Sequence, residues 1–153
     1  MDWNKHIEDL WFKVLHLQYA KSPKAPLAYK AYRQAMREAY PYALFLDDER
    51  SPRDVYWIQY PEGLWWRIVR NYAEFKEQLD LNGLPAFVSF DHDLQDFVGG
   101  TERTGKTCAM LLTDYCTEHK LDLPEYRIHT KNGPGSDNIA SWFSSYLKAA
   151  PNK

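Results

Sequence analysis

Four carboxylates follow two short apolar runs of the sequence, and their placement indicates a site for a divalent cation. Asp47 and Asp48 come directly after the first run, and Asp91 and Asp93 come after the second. Each run is predicted to be a buried strand of a parallel sheet, in which neighbouring strands lie about 4.8 Å apart. Like charges held that close are costly unless a proton or a cation neutralises them. The pattern therefore favours a metal site, for which oxygen ligands suit Mg²⁺, over solvated acids that cap helices or turns.

A histidine, His92, lies between two of these acids. As a neutral imidazole it could bind a metal or act as a general base, and as an imidazolium it could act as a general acid. The alternative is that His92 faces outward and pairs with Asp93 alone. The sequence leaves both interpretations open.

A second polar cluster, formed by His129, Thr130, Lys131 and Asn132, follows a later apolar segment and runs into a predicted loop at 133–135. Its hydroxyl, ammonium and amide groups can donate to phosphate oxygens. The helix that follows adds its N-terminal amides and its dipole. The alternative is that His129 and Asn132 bond only the backbone of the turn, but the combination favours a phosphate-binding role.

The segment Gly100–Thr107 matches the P-loop pattern G-x-x-x-x-G-K-[ST] letter for letter. That pattern works only when its first glycine directly follows a strand, and here the preceding strand is predicted to end at Phe90. Too few strands follow to complete a P-loop domain. We therefore predict a mobile basic loop instead, in which Arg103 and Lys106 can contact a phosphate.

Strand-like and helix-like segments alternate beyond the first quarter of the chain, which is typical of an α/β domain. The prediction is a small parallel sheet of about four strands with helices on both faces, spanning residues 43–150. Ligands of such sheets bind outside the carboxyl ends of the strands. The predicted strands lie at 43–46, 67–70, 85–90 and 126–129, and the predicted helices at 73–80, 104–119 and after a cap at Ser136 or Asp137.

Residues 1–42 are predicted to form an N-terminal helical hairpin ahead of that domain. Apolar residues recur at helical spacing over 3–19 and over roughly 27–40, and Pro23 and Pro26 separate the two helices. The hairpin could pack on the domain, cap its site or make a homodimer contact.

The net charge, the spacing of the cysteines and the length of the apolar runs each bear on the class of protein. Nineteen basic residues against twenty-one acidic ones give a formal charge of -2, which argues against bulk binding of DNA. Cys108 and Cys116 lie in one predicted helix with their α-carbons about 12 Å apart, too far for a disulfide. No apolar run is long enough for a membrane span. We predict a cytoplasmic protein.

Three tryptophans, Trp57, Trp65 and Trp66, lie in the long connection between the first two predicted strands. This connection could fold over the site as an aromatic lid. It could equally pack on the sheet as a hydrophobic flap.

Taken together, these motifs give the chain a family resemblance over roughly residues 43–148. It resembles a family of small receiver-like domains, found in bacteria and their phages, that are proposed to process cyclic phosphates. The motifs that carry the resemblance are Leu44–Pro52, Val88–Leu94, the Thr104–Gly105 pair, and His129–Asn132 with the Gly135 loop.

The resemblance implies a flavodoxin-like receiver fold. In ordinary receivers the positions of Asp47, Asp48 and Asp91 bind Mg²⁺, and the last of them accepts a phosphoryl group. The chain departs from that pattern, because Asp91 is followed by a histidine and a further aspartate. Thr130 and Lys131 share one strand end, whereas receivers place their hydroxyl and lysine on separate strands. These departures argue against phosphorelay signalling and favour the family's role on cyclic phosphates.

The resulting hypothesis is a metal-assisted phosphoesterase in a bacterial cell or a phage-infected host. Its substrate is expected to be a cyclic nucleotide or an RNA-type 2′,3′-cyclic phosphate end. The alternatives are a protein that sequesters a cyclic nucleotide without cleaving it, as a phage counter-defence, and a degenerate receiver that only makes protein contacts. The residues expected to act are Asp47, Asp48, Asp91 and Asp93 as ligands of Mg²⁺ or Mn²⁺, His92 or His129 for proton transfer, Arg50 beside them, and Thr130, Lys131, Asn132, Arg103 and Lys106 for the substrate.

Overall fold

The structure, a computed structural model, describes residues 2–150. The chain divides into two compact units, of which the first ends at Pro41 and the second begins at Tyr42. Among the described residues, no helix combines the length and the apolar character that crossing a membrane requires.

The first unit is the predicted helical hairpin. It consists of α1 (Trp3–Tyr19) and α2 (Ala25–Ala39). The rings of Trp11 and Tyr32 lie 5.0 Å apart between the two helices, and Val14 is fully buried.

The second unit is built on a four-stranded parallel sheet, as predicted. The order across the sheet is β2-β1-β3-β6, with β1 at Tyr42–Leu46, β2 at Trp65–Val69, β3 at Phe87–Phe90 and β6 at Glu125–Ile128. The two central strands are buried along their whole lengths, and Ser89 is the one residue of β3 that is not apolar. After β1 the chain forms β2 on one side of β1, and it then crosses over to form β3 on the other side. The strand order therefore reverses between β1 and β3. The crevice at that reversal is where sheets of this kind bind ligands.

Three helices flank the sheet and complete the receiver-like α/β fold. They are α3 (Tyr72–Asn82), α4 (Gly105–His119) and α5 (Gly133–Ala149). Their buried side chains join one sheet face in a single apolar core. The buried members of that core include Leu44, Leu46, Val88, Phe90, Phe75, Leu79, Cys108, Leu112, Ile139 and Phe143.

A β-hairpin that the sequence analysis missed follows β3. It pairs β4 (Asp96–Val98) with β5 (Thr101–Arg103) in antiparallel fashion. Gly99 and Gly100 connect the strands with φ angles of +57° and +78°, the backbone that a two-residue hairpin turn requires. The stretch that matches the P-loop pattern is therefore the tip of a hairpin, its second strand and the start of α4. The prediction of a loop is wrong, because Thr101–Arg103 pair with β4 and the residues from Gly105 onward belong to α4.

The last helix also begins earlier than predicted. Residues 133–135 form its first turn rather than a loop, and the cap is Asn132 instead of Ser136 or Asp137. The Asn132 side chain accepts a hydrogen bond from the backbone N–H of Gly135 at 3.1 Å. Pro134 fits this turn for two reasons. Its fixed φ angle is already helical, and the N–H that proline lacks would have no helical acceptor in the first turn.

Candidate functional site

The carboxyl ends of three neighbouring strands bring Asp47, Asp91 and His129 together. Strand pairing aligns the last residues of β1, β3 and β6, so the residues that follow them form a row. One potential ligand atom from each lies within 4.8 Å of the others, and all three side chains are buried. Two carboxylates and an imidazole form a donor set that suits a divalent cation. We refer to these three residues as the acidic row.

Asp47 is the most completely satisfied member of the acidic row. Its Oδ1 accepts the backbone N–H groups of Glu49 at 2.8 Å and Arg50 at 2.7 Å. Its Oδ2 accepts a hydrogen bond from Nε2 of His129 at 2.9 Å. Burial opposes ionisation, but these hydrogen bonds outweigh it and hold the pKa of Asp47 below its ordinary value. Asp47 is therefore a carboxylate at neutral pH.

The pKa of Asp91 is shifted in the opposite direction to that of Asp47. Burial, and next the charge of Asp47, raise the pKa of Asp91 above its ordinary value. Hydrogen bonds from the backbone N–H of His92 and from the hydroxyl of Thr130 oppose that rise without cancelling it. A cation between the two carboxylates would remove the repulsion.

Two hydrogen bonds in series, through Ser89 and Tyr60, hold His129 on the side of its ring away from Asp47. Its Nδ1 lies 2.7 Å from Oγ of Ser89, which in turn lies 2.6 Å from the hydroxyl of Tyr60. The ring stacks on Phe45 with centroids 4.4 Å apart. Burial raises the pKa of Tyr60 to about 12, so this phenol stays neutral. The sequence analysis missed Ser89 and Tyr60, although a serine inside an apolar strand was an available signal.

Arg70 extends the row beyond Asp47 and was also missed. It follows the last residue of β2, which is aligned with the last residue of β1. Its guanidinium donates to the backbone carbonyls of Asp47 at 3.0 Å and Arg50 at 2.6 Å. Arg70 thereby fixes the loop that follows β1.

Two cationic side chains, Arg50 and Lys131, lie against the indole ring of Trp57 at the rim of the acidic row. The indole N–H of Trp57 donates to the backbone carbonyl of His129 at 3.0 Å. The ammonium of Lys131 lies 4.2 Å and the guanidinium carbon of Arg50 5.5 Å from the centroid of the Trp57 ring. Arg50 also lies 3.8 Å from Oδ2 of Asp47. Arg50 and Lys131, both predicted, therefore belong to one site with the acidic row, and Trp57 anchors them.

Asp48 is half-buried beside the acidic row but is not a member of it. The ligand atoms that lie within 4.8 Å of one another belong to Asp47, Asp91 and His129, and none of them is from Asp48. Burial, followed by the charges of Asp47 and Glu49, raises the pKa of Asp48.

Asp93 also lies outside the acidic row and takes part in a separate cluster. Its Oδ1 lies 2.9 Å from Nδ1 of His92, and its Oδ2 accepts a hydrogen bond from the amide of Asn132 at 3.0 Å. These two bonds lower the pKa of Asp93. The structure thus pairs His92 with Asp93, as the alternative interpretation predicted, but the His92 side chain is mostly buried and does not face outward. Asn132 bonds the same carboxylate.

The two remaining predicted substrate-binding residues lie near the base of the β4–β5 hairpin. Arg103 forms an ion pair with Asp96 at 3.1 Å. Its guanidinium carbon lies 4.8 Å from the centroid of the Tyr72 ring. Lys106 lies in the first turn of α4 and is half-buried. Arg103 is therefore engaged in holding the hairpin to α3.

Comparison with known proteins gives one match. The profile of a receiver domain described as cyclic-phosphate processing matches residues 42–145, which is more than half of the chain. No curated protein and no solved structure gives a match.

Proposed function

Because the chain belongs to the family of cyclic-phosphate processing receiver domains, we propose that it hydrolyses a cyclic phosphate with a divalent cation bound at the acidic row. The observation that carries this proposal is the convergence of Asp47, Asp91 and His129 at the strand-order reversal. Arg50 and Lys131 supply positive charge at the rim of the same site. Acidic ligands beside basic donors are what a metal-bound phosphate needs.

Different residues of the site would bind the metal and stabilise the phosphate. Asp47 and Asp91 would hold Mn²⁺ or Mg²⁺ through their carboxylate oxygens, and His129 would orient Asp47 through the hydrogen bond from its Nε2. A bound cation polarises a phosphoryl oxygen or lowers the pKa of a bound water. Arg50 and Lys131 stabilise the negative charge that develops on the phosphoryl oxygens.

The direct test is turnover of a panel of cyclic mono-, di- and oligonucleotides and an RNA with a 2′,3′-cyclic end, each with Mn²⁺. We expect hydrolysis of at least one member and a loss of about 100-fold or more in Asp91→Ala, because several kcal/mol of charge stabilisation disappear. Product formation is followed by chromatography. The matched control is Asp80→Ala, which removes an exposed acid that pairs with Lys76 on α3 and should leave the rate unchanged.

Two outcomes contradict the proposal. If wild-type protein turns over no member of the panel, the enzymatic function is wrong. If a cyclic nucleotide raises the melting temperature but is recovered intact, the protein sequesters its ligand instead of cleaving it.

The aromatic rim favours a substrate that carries a nucleobase. Tyr56 is 84% exposed, and its ring contacts the edge of the Trp57 ring at 5.1 Å. Lys131 lies 5.6 Å from the centroid of the same tyrosine ring. An exposed ring next to the phosphate donors is placed to stack on a base.

Removing this ring is expected to weaken nucleotide binding selectively. Base stacking is worth roughly 1–3 kcal/mol, so Tyr56→Ala should raise the KM of a nucleoside 2′,3′-cyclic phosphate about tenfold. The KM of a cyclic phosphate without a base should stay unchanged. Tyr56→Phe should behave as wild type, and Tyr19→Ala, on the exposed end of α1, is the matched control. An equal effect on both substrates would argue against stacking.

A further inference from the structure

The two histidines of the site differ in what remains available on their rings. His129 is completely buried. Its Nε2 is bonded to Asp47 at 2.9 Å and its Nδ1 to Ser89 at 2.7 Å. Both nitrogens are thus engaged, and His129 cannot take a proton from a substrate while these bonds stand.

His92 has one ring nitrogen, Nδ1, beside Asp93, and its Nε2 has no hydrogen-bond partner among residues 2–150. Its side chain is 14% exposed, and its Nδ1 lies 2.9 Å from Oδ1 of Asp93. The other carboxylate oxygen of Asp93, Oδ2, accepts a hydrogen bond from the amide of Asn132 at 3.0 Å. A carboxylate can only accept, so Nδ1 carries the hydrogen, and in the neutral ring Nε2 holds a lone pair. A carboxylate–imidazole pair of this kind orients a general base.

The start of α5 holds this pair in position. The amide of Asn132 donates to Oδ2 of Asp93 at 3.0 Å, while its oxygen accepts from the backbone N–H of Gly135 at 3.1 Å. A Cβ on Gly135 would lie 2.5 Å from Cγ of His92. The glycine therefore makes room for the ring, and the helix cap fixes the acid that orients it.

The backbone of His92 is also bonded to the acidic row and to α4. The N–H of His92 donates to Oδ1 of Asp91 at 2.9 Å. The carbonyl of His92 accepts from the N–H of Gly105, the first residue of α4, at 2.8 Å. These bonds hold the His92 backbone directly beside a predicted metal ligand.

We propose that His92 is the general base of the hydrolysis and that Asp93 and Asn132 are positioning residues for its ring; this inference rests on the proposed function. The oxygen of a water molecule forms a bond to phosphorus as its proton passes to Nε2 of His92. The bond from phosphorus to one ester oxygen of the ring breaks, and that oxygen keeps the electron pair. It takes a proton from solvent to become a hydroxyl, and the imidazolium returns its proton to solvent. The net reaction adds one water and opens the cyclic phosphate.

The test is steady-state kinetics of His92→Ala with the cyclic phosphate that wild type hydrolyses. A lost general base lowers kcat by about 100- to 10,000-fold while KM changes little. Added imidazole is expected to restore part of kcat, since it can occupy the vacated space and take the proton. His119→Ala removes an exposed histidine on α4 that stacks on Tyr115, and it should neither lose kcat nor respond to imidazole.

The positioning residues give a second, independent readout. Asp93→Asn offers the ring an amide hydrogen in place of a carboxylate, which allows the wrong tautomer, so kcat should fall with KM preserved. Asn132→Ala keeps the carboxyl group of Asp93 beside the ring and should lower kcat less than Asp93→Asn does. His92→Gln fills similar space and can still donate to Asp93, so it should fold as wild type does and lose kcat as His92→Ala does.

The failures of the two proposals can be told apart. If wild type hydrolyses no cyclic phosphate, the proposed function fails and the base assignment falls with it. If wild type is active and His92→Ala keeps its kcat, or loses it without any rescue by imidazole, the base assignment alone is wrong. A rise in melting temperature with Mn²⁺ in His92→Ala shows that the variant is folded.

Discussion

Replacing Asp91 with asparagine is expected to stabilise the metal-free protein and to abolish its stabilisation by Mn²⁺. Burial and the charge of Asp47 make the ionised form of Asp91 unfavourable in the folded state. Asparagine has the same shape, and its oxygen can still accept the hydrogen bonds from His92 and Thr130. For a domain of this size, each kcal/mol of relieved repulsion raises the melting temperature by about 2–4 °C. Turnover should fall to the background rate, because one of the two carboxylate ligands is gone.

The sign of the pH dependence follows from the direction of the pKa shift. Because the folded-state pKa of Asp91 is raised, this residue contributes stability that is present below its ordinary value of 3.8 and is lost as pH rises through the raised value. The stability gain of Asp91→Asn in chelator should therefore be absent at strongly acid pH and full at neutral pH. Thermal unfolding with and without Mn²⁺, at a series of pH values, measures both effects. Asp80→Asn, at an exposed site, is the control, and a gain that is independent of pH would contradict this account.

The largest effect on stability is expected from Gly105→Ala. Gly105 is the first residue of α4, and a Cβ there would lie 1.8 Å from the carbonyl oxygen of Asp91 and 3.0 Å from Cδ1 of Ile139. Both obstacles are fixed, since one is backbone at the end of β3 and the other is a core side chain. Overpacking of this kind costs about 3 kcal/mol, enough to lower the melting temperature by several degrees. Binding of Mn²⁺ should weaken as well, because the strain displaces the Asp91 backbone.

Gly133→Ala is the matched control for that substitution. Gly133 is likewise the first residue of its helix, and no atom within 4 Å would meet its Cβ. The remaining cost is that of a larger residue before Pro134. Chemical denaturation of both variants gives the comparison. Equal losses of stability would show that the close approach of α4 to Asp91 is not what requires glycine at position 105.

Much of the fold was predictable because the central strands are buried on both faces. That burial makes β1 and β3 read as short apolar runs, and the polar residues after them mark the strand ends. The parallel arrangement then places Asp47 and Asp91 next to each other without further information. The β4–β5 hairpin gave no comparable signal, since its strands have three residues each and all of those residues are half-buried or exposed. The start of α5 was misplaced because two glycines around Pro134 resemble a loop.

The site was predicted less completely than the fold, for a geometric reason. Counting acids near a strand end cannot tell Asp47, which belongs to the acidic row, from Asp48, which does not. Asp93 has left the strand, so its partner depends on how α5 begins. The roles of Ser89 and Tyr60 depend on a contact between β3 and the loop after β1, which no local pattern encodes.

The alignment of the acidic row with the strand ends has a consequence for how the protein folds. Asp47, Asp91 and His129 each lie one residue beyond a paired position. A slip of one residue between strands would turn an aspartate to the opposite face and break up the three-residue row. The acidic row therefore exists only in the correctly registered sheet, so a divalent cation bound there, as proposed, would stabilise the native strand register over neighbouring registers during folding.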